Sequence, residues 1–218
     1  LRILANLGLP IPEGFFIPKE LVNKVVNDKD FRISEKFKKI EGLFSLRGSP
    51  DFRDWGSTDT ILNLGMSDSQ VSIMAVQFGT KASLELYAEF IYNFSVCVFG
   101  LEAEIFETIY HEKIRSLGSE NISLMNEDVL FSIVENFKSK FVQEVDREFP
   151  QSLEEQLDLA FSAMSRSWFR PSAKILRSTR GAPDNAGLGI ILQKMVLGIG
   201  KSVSGSGQIN SIDRETGE

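Results

Sequence analysis

Cysteine and histidine are almost missing from this sequence: its 218 residues hold one of each, Cys97 and His111. A single cysteine excludes an intramolecular disulfide and any zinc site built on thiolates, and it fits a reducing, cytoplasmic setting. Its surroundings, SVCVFG, are apolar, so the thiol reads as buried and inert. A single histidine excludes a multi-histidine metal site, and His111 within IYHEK on an expected helix reads as a partly exposed structural residue. No apolar run approaches the roughly 18 residues that cross a bilayer, so no membrane partner is expected. Leu1 to Leu9 lacks the small-residue cleavage site of a secretory leader. Excess positive charge is missing too. With 24 Lys and Arg against 30 Asp and Glu, the net charge of −6 argues against nucleic acid as a partner.

What is present is a globular composition, 42% hydrophobic and 25% charged, in a chain long enough for a substantial core. It opens on Leu1 and closes in the loop-like GQINSIDRETGE, so it is expected to be a piece of something longer. Residues 5–17, ANLGLPIPEGFFI, mix prolines and glycines with apolar residues, the pattern of a turn feeding a short strand. After Pro18, the spacing of Leu21, Val22 and Val25 predicts a helix. Residues 27–42 read as helix plus connection.

From about Ser69 to Glu148 the pattern turns helical. Leu84, Tyr87, Ile91, Phe94 and Val98 step along one face, and Leu101, Ile105 and Ile109 along a second. Leu130, Ile133, Val134, Phe137 and Phe141 make a third, opened by Asn126 with Glu127 and Asp128 in its first turn. A polar connection, GSENISLMNE, joins the second to the third. Strand-like segments flank this region, so it reads as a helical insert. Ser152 with Glu155 predicts a capping box for a helix buried through Leu157, Ala160, Phe161, Met164 and Trp168 and ended by Pro171. A shorter helix follows from Ser172 to Arg180, and Leu188 to Leu197 reads as a buried strand.

Chemistry-bearing candidates are few. Leu43, Phe44 and Leu46 predict a strand that runs into Arg47 and then a loop holding Gly48, Ser49, Pro50 and Gly56, ahead of a second apolar segment, Thr60 to Leu64. A planar cation beside backbone N–H groups suits an anion, although spacing alone favours a solvated hairpin arginine. Between Arg166 and Arg180 lie five cations and no acid, either an anion site or a solvated face. GIGKS, Gly198 to Ser202, fails as a phosphate loop because Met195 stands where its first glycine belongs. Gly187-Leu188-Gly189 and Gly205-Ser206-Gly207 are too short for a dinucleotide fingerprint. The acid pairs Glu102/Glu104 and Glu154/Glu155 read as helix surface.

Five segments taken in order, ANLGLPIPEGFFI, Arg47 through DTILNLGMSD, FPQSLEEQLDLAFSAMSRSWFRPSA, APDNAGLGIILQKMVLG and SGSGQINSIDRETGE, resemble the N-terminal nucleotide-binding domain of the pyruvate phosphate dikinase family. DTILNLG and FPQSLEEQL resemble the dikinase more than its relative phosphoenolpyruvate synthase. The resemblance implies an α+β, ATP-grasp-type fold with an inserted helical subdomain. It divides the chain into a first α+β part over 1–68, the helical insert over 69–148 and a return to the α+β part over 149–218. It implies a transferase that uses ATP and Mg²⁺ to phosphorylate a histidine on a separate domain of the same full-length, possibly homodimeric, chain. Arg47 matches the family arginine that contacts the phosphates, and Gln193, Lys194, Met195 and Val196 match the segment that reads the adenine edge. The family's lysine-bearing glycine segment and its metal-binding acids correspond to sequence outside this chain.

The sequence also departs from that family pattern. An arginine-serine-glycine-alanine-arginine run has become Arg47, Gly48, Ser49, Pro50, Asp51. A basic pair has become Ala88 and Glu89, and an arginine-asparagine-proline run has become Ile212, Asp213, Arg214. Asp51 and Glu89 are expected to weaken polyphosphate binding if both face the cleft. The competing expectation is a non-catalytic remnant whose helical insert is an interaction surface.

Overall fold

The computed structural model describes residues 4, 6–37, 40–52, 55–56, 58–116, 125–199, 203–207 and 212. In chain order the elements are β1 (Gly14–Ile17), α1 (Lys19–Asn27), a 3-10 turn (Ser34–Lys36), β2 (Phe44–Pro50), β3 (Ile61–Leu64), α2 (Asp68–Phe78), α3 (Thr80–Phe99), α4 (Ala103–Ser116), α5 (Glu127–Val145), α6 (Leu153–Trp168), α7 (Pro171–Thr179) and β4 (Leu188–Lys194). The fold is α+β. Its strands form one antiparallel sheet in the order β1-β4-β2-β3. The last strand is therefore central, and Leu188, Ile190 and Leu192 are buried as a central strand requires.

The helices follow from local chemistry that the sequence displays. Asn126 accepts a hydrogen bond from the Val129 amide at 3.0 Å, and Ser152 one from the Glu155 amide at 3.2 Å, each meeting an orphan donor at a helix start. The Ser152 cap is as expected, but the Glu155 carboxylate turns to Arg147. Pro171 opens α7 at a position that needs no amide donor. Gly100, at φ 73°, closes α3 in the left-handed region, with its own amide bonded to Val96 and that of Leu101 to Ser95.

One hydrophobic core joins the sheet to the helices. Phe149 is its aromatic hub, with ring centroids 5.7 Å from Phe90, 5.7 Å from Phe94 and 5.1 Å from Phe141. It thereby pins α3 and α5 to the segment entering α6. Beside it Gln156, fully buried, accepts from the Gly65 amide at 2.7 Å and donates to the carbonyls of Met66 at 2.8 Å and Pro150 at 2.9 Å. Its side-chain amide thus ties the end of β3 to the start of α6. Asp158 does likewise for the 3-10 turn, accepting from the Ser34 amide and hydroxyl.

Three expectations need correction. Of residues 27–42, read as helix plus connection, Asn27 ends α1 and the rest hold only a 3-10 turn among the described residues, since their apolar side chains lack a helical period. Pro171, read as the end of α6 ahead of a helix from Ser172, instead takes the first position of α7, α6 having ended at Trp168; residues 68–78 form α2 inside the region read as helical, capped by Ser67, with Ile73 and Val76 pointing outward. Most relevant to function, β2 does not end at Arg47. It continues through Gly48, Ser49 and Pro50, because Ile190, Gly189 and Leu188 pair with them. The Thr58 side chain lies where a Cβ on Gly48 would be, so glycine here admits a close neighbour and does not make a turn.

Candidate functional site

Antiparallel pairing sorts the sheet's side chains into two faces. Ile17, Leu46, Ile190 and Leu192 enter the core. Phe16 and Arg47 both pair with Ile191, and Gly14 and Ser45 both pair with Gln193, so these residues share the opposite face. Phe16 is 64% exposed there, and its ring covers Gly189, where a Cβ would fall 2.6 Å from ring carbons.

Arg47 lies half-buried in the middle of this face. Its Nη2 donates to Gln193 Oε1 at 3.2 Å, and Gln193 Nε2 donates to the Pro12 carbonyl at 3.2 Å. The glutamine is therefore a clasp between the guanidinium and the segment that leads into β1. Among the described residues the Arg47 Nε is buried and has no acceptor. A buried N–H donor without a partner is costly unless an acceptor meets it, and an anion would supply charge as well as the acceptor.

The other three matched residues behave differently. Lys194 falls on the Leu192 side of the strand, at its exposed end, and its amide donates to the Glu13 carbonyl at 2.8 Å. Met195 gives its amide to the Leu43 carbonyl at 2.8 Å and takes the Asn63 amide on its sulfur at 3.1 Å. Val196 is 77% exposed. The structure thus brings Arg47 and Gln193 together and uses the amides of Lys194 and Met195 inside the fold. Phe16 and the Pro12 carbonyl complete the arrangement, and nothing in the local sequence marked either.

The two acidic departures do not converge on Arg47. Asp51 Oδ2 accepts from the Gly187 amide at 3.0 Å, and the Asp51 amide donates back to the Gly187 carbonyl at 3.3 Å, so the carboxylate closes the end of β2. Glu89 lines a hollow among α3, α4 and α5. The third departure, at Ile212 to Arg214, lies outside the described residues except for Ile212, and so do Lys201 and Ser202 of GIGKS, most of the closing segment and most of GSENISLMNE.

The basic window is divided among several environments. Arg166 and Arg170 reach a hollow of about 520 Å³ beside Asp59 and Cys97. Lys174 lies over the Phe169 ring at 5.9 Å. Arg177 stacks on Trp168 at 3.8 Å and is 8% exposed, and burial pulls its guanidinium below the usual arginine range. Cys97 is half-buried, and burial pushes its thiol up, with the Asp59 carboxylate adding to the rise. His111 is exposed on α4.

Among the described residues no three His, Cys, Asp or Glu side chains converge as a metal-ligand set. None of the described helices is long and apolar enough to cross a membrane.

No family model matches the chain. It is 28% identical over 228 residues to a pyruvate, phosphate dikinase of Giardia intestinalis, covering 95% of this chain and 26% of that protein. It is 29% identical over 236 residues to that of Rickettsia bellii, covering 99% and 27%. Against the chloroplastic pyruvate, phosphate dikinase of Flaveria bidentis it is 30% identical over 167 residues, 75% of this chain and 17% of the relative. The chain thus spans about a quarter of the length of the curated relatives that it matches almost end to end. Over nearly its whole length the chain is thus similar, at 28–29% identity, to one stretch of pyruvate, phosphate dikinases.

Proposed function

We propose that this chain is the ATP-binding part of a pyruvate, phosphate dikinase-like phosphotransferase. The complete reaction would convert ATP, phosphate and pyruvate to AMP, pyrophosphate and phosphoenolpyruvate through a phosphohistidine on a separate domain. Residues 1–68 and 149–218 would form the nucleotide-binding α+β part, of ATP-grasp type, with 69–148 as its helical subdomain. A chain without the phosphohistidine domain would not turn over alone.

The observation that carries this reading is the Arg47 guanidinium, held by Gln193 on the face away from the core with its Nε unmatched. In phosphoryl transfer the protein acts chiefly by placing cationic donors against phosphate oxygens. Arg47 would donate to those oxygens, and Gln193 would fix the plane of the fork. Val196, exposed just past β4, would offer its backbone to the adenine edge, with Met195 anchoring the strand end beneath it. Mg²⁺, when bound, would screen the phosphate charge through ligands outside the described residues.

Calorimetric titration of MgATP into the chain and its Arg47→Met variant tests this. Saturable binding that weakens in the variant is the expected result. Equal affinities would remove Arg47 from the site, and no binding even by the unaltered chain extended at both ends, with the lysine-bearing glycine segment and the metal-binding acids included, would favour the non-catalytic remnant.

A further inference from the structure

The hollow among α3, α4 and α5 has a chemistry of its own, unrelated to the sheet face. Its volume is about 440 Å³, within the range of small-molecule sites. The walls are apolar and aromatic: Phe106 and Phe137 are buried and meet edge to face at 5.2 Å, and Tyr92 stands 6.1 Å from Phe106. Ala88, 8% exposed, contributes only a methyl group to the wall and so leaves the space open.

The rim carries the opposite character. Glu85, Glu89 and Glu107 line it, all exposed at the surface and outnumbering the exposed His111 beside them, and no lysine or arginine is among the described residues that do. Tyr92 donates to Glu107 Oε1 at 3.1 Å across α3 and α4, which holds that carboxylate at the opening.

We infer that this hollow binds a small organic cation: an amphipathic amine whose apolar body fills the aromatic walls and whose ammonium sits at the glutamate rim. Ring faces and carboxylates both favour a positive group, and both disfavour an anion of the same shape. The apolar body alone would enter the walls, but only the cation uses the rim.

The test compares three probes with one carbon skeleton, 4-phenylbutylamine, 4-phenylbutanol and 4-phenylbutyrate, titrated at pH 8 into the whole chain and followed by NMR shifts. The amine is expected to bind about tenfold or more tighter than the acid, with the alcohol between them. Glu89→Lys, an exposed helix substitution, should bring amine and acid to within about twofold of each other. Ala88→Leu should abolish binding of all three by filling the space, with thermal melts recorded for both variants. Acid binding equal to amine binding, amine affinity unchanged in Glu89→Lys, or saturable binding by none of the probes would each overturn the inference. Should Ala88→Leu fail to fold, the Glu89→Lys comparison decides alone.

Discussion

Arg47 Nη2 donates to Gln193 Oε1 at 3.2 Å, joining two residues 146 positions apart in the chain. Arg47→Met keeps the buried stem and removes the donors, so it is expected to weaken MgATP binding about tenfold or more, as loss of charge-assisted hydrogen bonds should. Thermal melts should move by no more than a few degrees. A large drop in melting temperature with unchanged nucleotide affinity would make the arginine structural.

Gln193→Leu releases the guanidinium without touching its charge. The expected loss in MgATP affinity is smaller than for Arg47→Met, and the double variant should lose no more than Arg47→Met alone. Additive losses across that double-mutant cycle would show that Gln193 meets the nucleotide by itself.

Gln156 makes three hydrogen bonds from full burial. Gln156→Leu leaves the Gly65 amide and the Met66 and Pro150 carbonyls unmatched, a cost on the order of 3 kcal/mol. In a chain of this size that corresponds to a fall of roughly 6–12 °C in melting temperature. Differential scanning calorimetry measures it, and a fall under 2 °C would argue that the three groups find other partners, about 1 kcal/mol or less being lost.

Tyr87 supplies a pH dependence. Burial pushes its phenol well above the ordinary value of 10.0; the Gln151 amide that donates to its oxygen acts against the rise, and the Asp68 carboxylate adds to it. The folded state therefore keeps a proton that the unfolded chain gives up, so stability is full below the ordinary tyrosine value and falls as pH rises above it. Urea midpoints measured from pH 8 to 11.5 should decline at the alkaline end. In Tyr87→Phe that alkaline decline should be shallower, although the variant is weaker at neutral pH for want of the Gln151 bond.

Arg177 separates packing from anion binding within the basic window. Stacked on Trp168 at 3.8 Å and nearly enclosed, it should cost about 2 kcal/mol when replaced by Ala, with nucleotide affinity unchanged. A parallel fall in MgATP affinity would instead assign the window to the phosphates.

What the sequence made legible was local. Asn126 and Ser152 mark helix starts by themselves, and the apolar spacings of α3, α5 and α6 match what is buried. What it hid depended on distant partners. Gly48-Ser49-Pro50 has the composition of a turn, yet β4 pairing holds it extended. Gln156 looks like any polar helix residue until Gly65, Met66 and Pro150 surround it. Arg47 and Gln193 were both candidates on resemblance, but only the register of β2 on β4 shows that one side chain positions the other.

The central place of β4 also has a consequence for how this chain acquires its shape. During synthesis β1 emerges early and has no strand to pair with, and β2 keeps one bare edge, until Leu188–Lys194 arrives to slot between them. Among the described elements the sheet closes after the helices, through contacts of long sequence separation, which is slow compared with forming the helices that precede β4. In that interval the two uncovered edges are templates for neighbouring nascent chains. A version ending at Asp184 is accordingly expected to keep helical circular dichroism while sedimenting as aggregates. A monodisperse monomer of that length would show that the edges are shielded before the final strand is made.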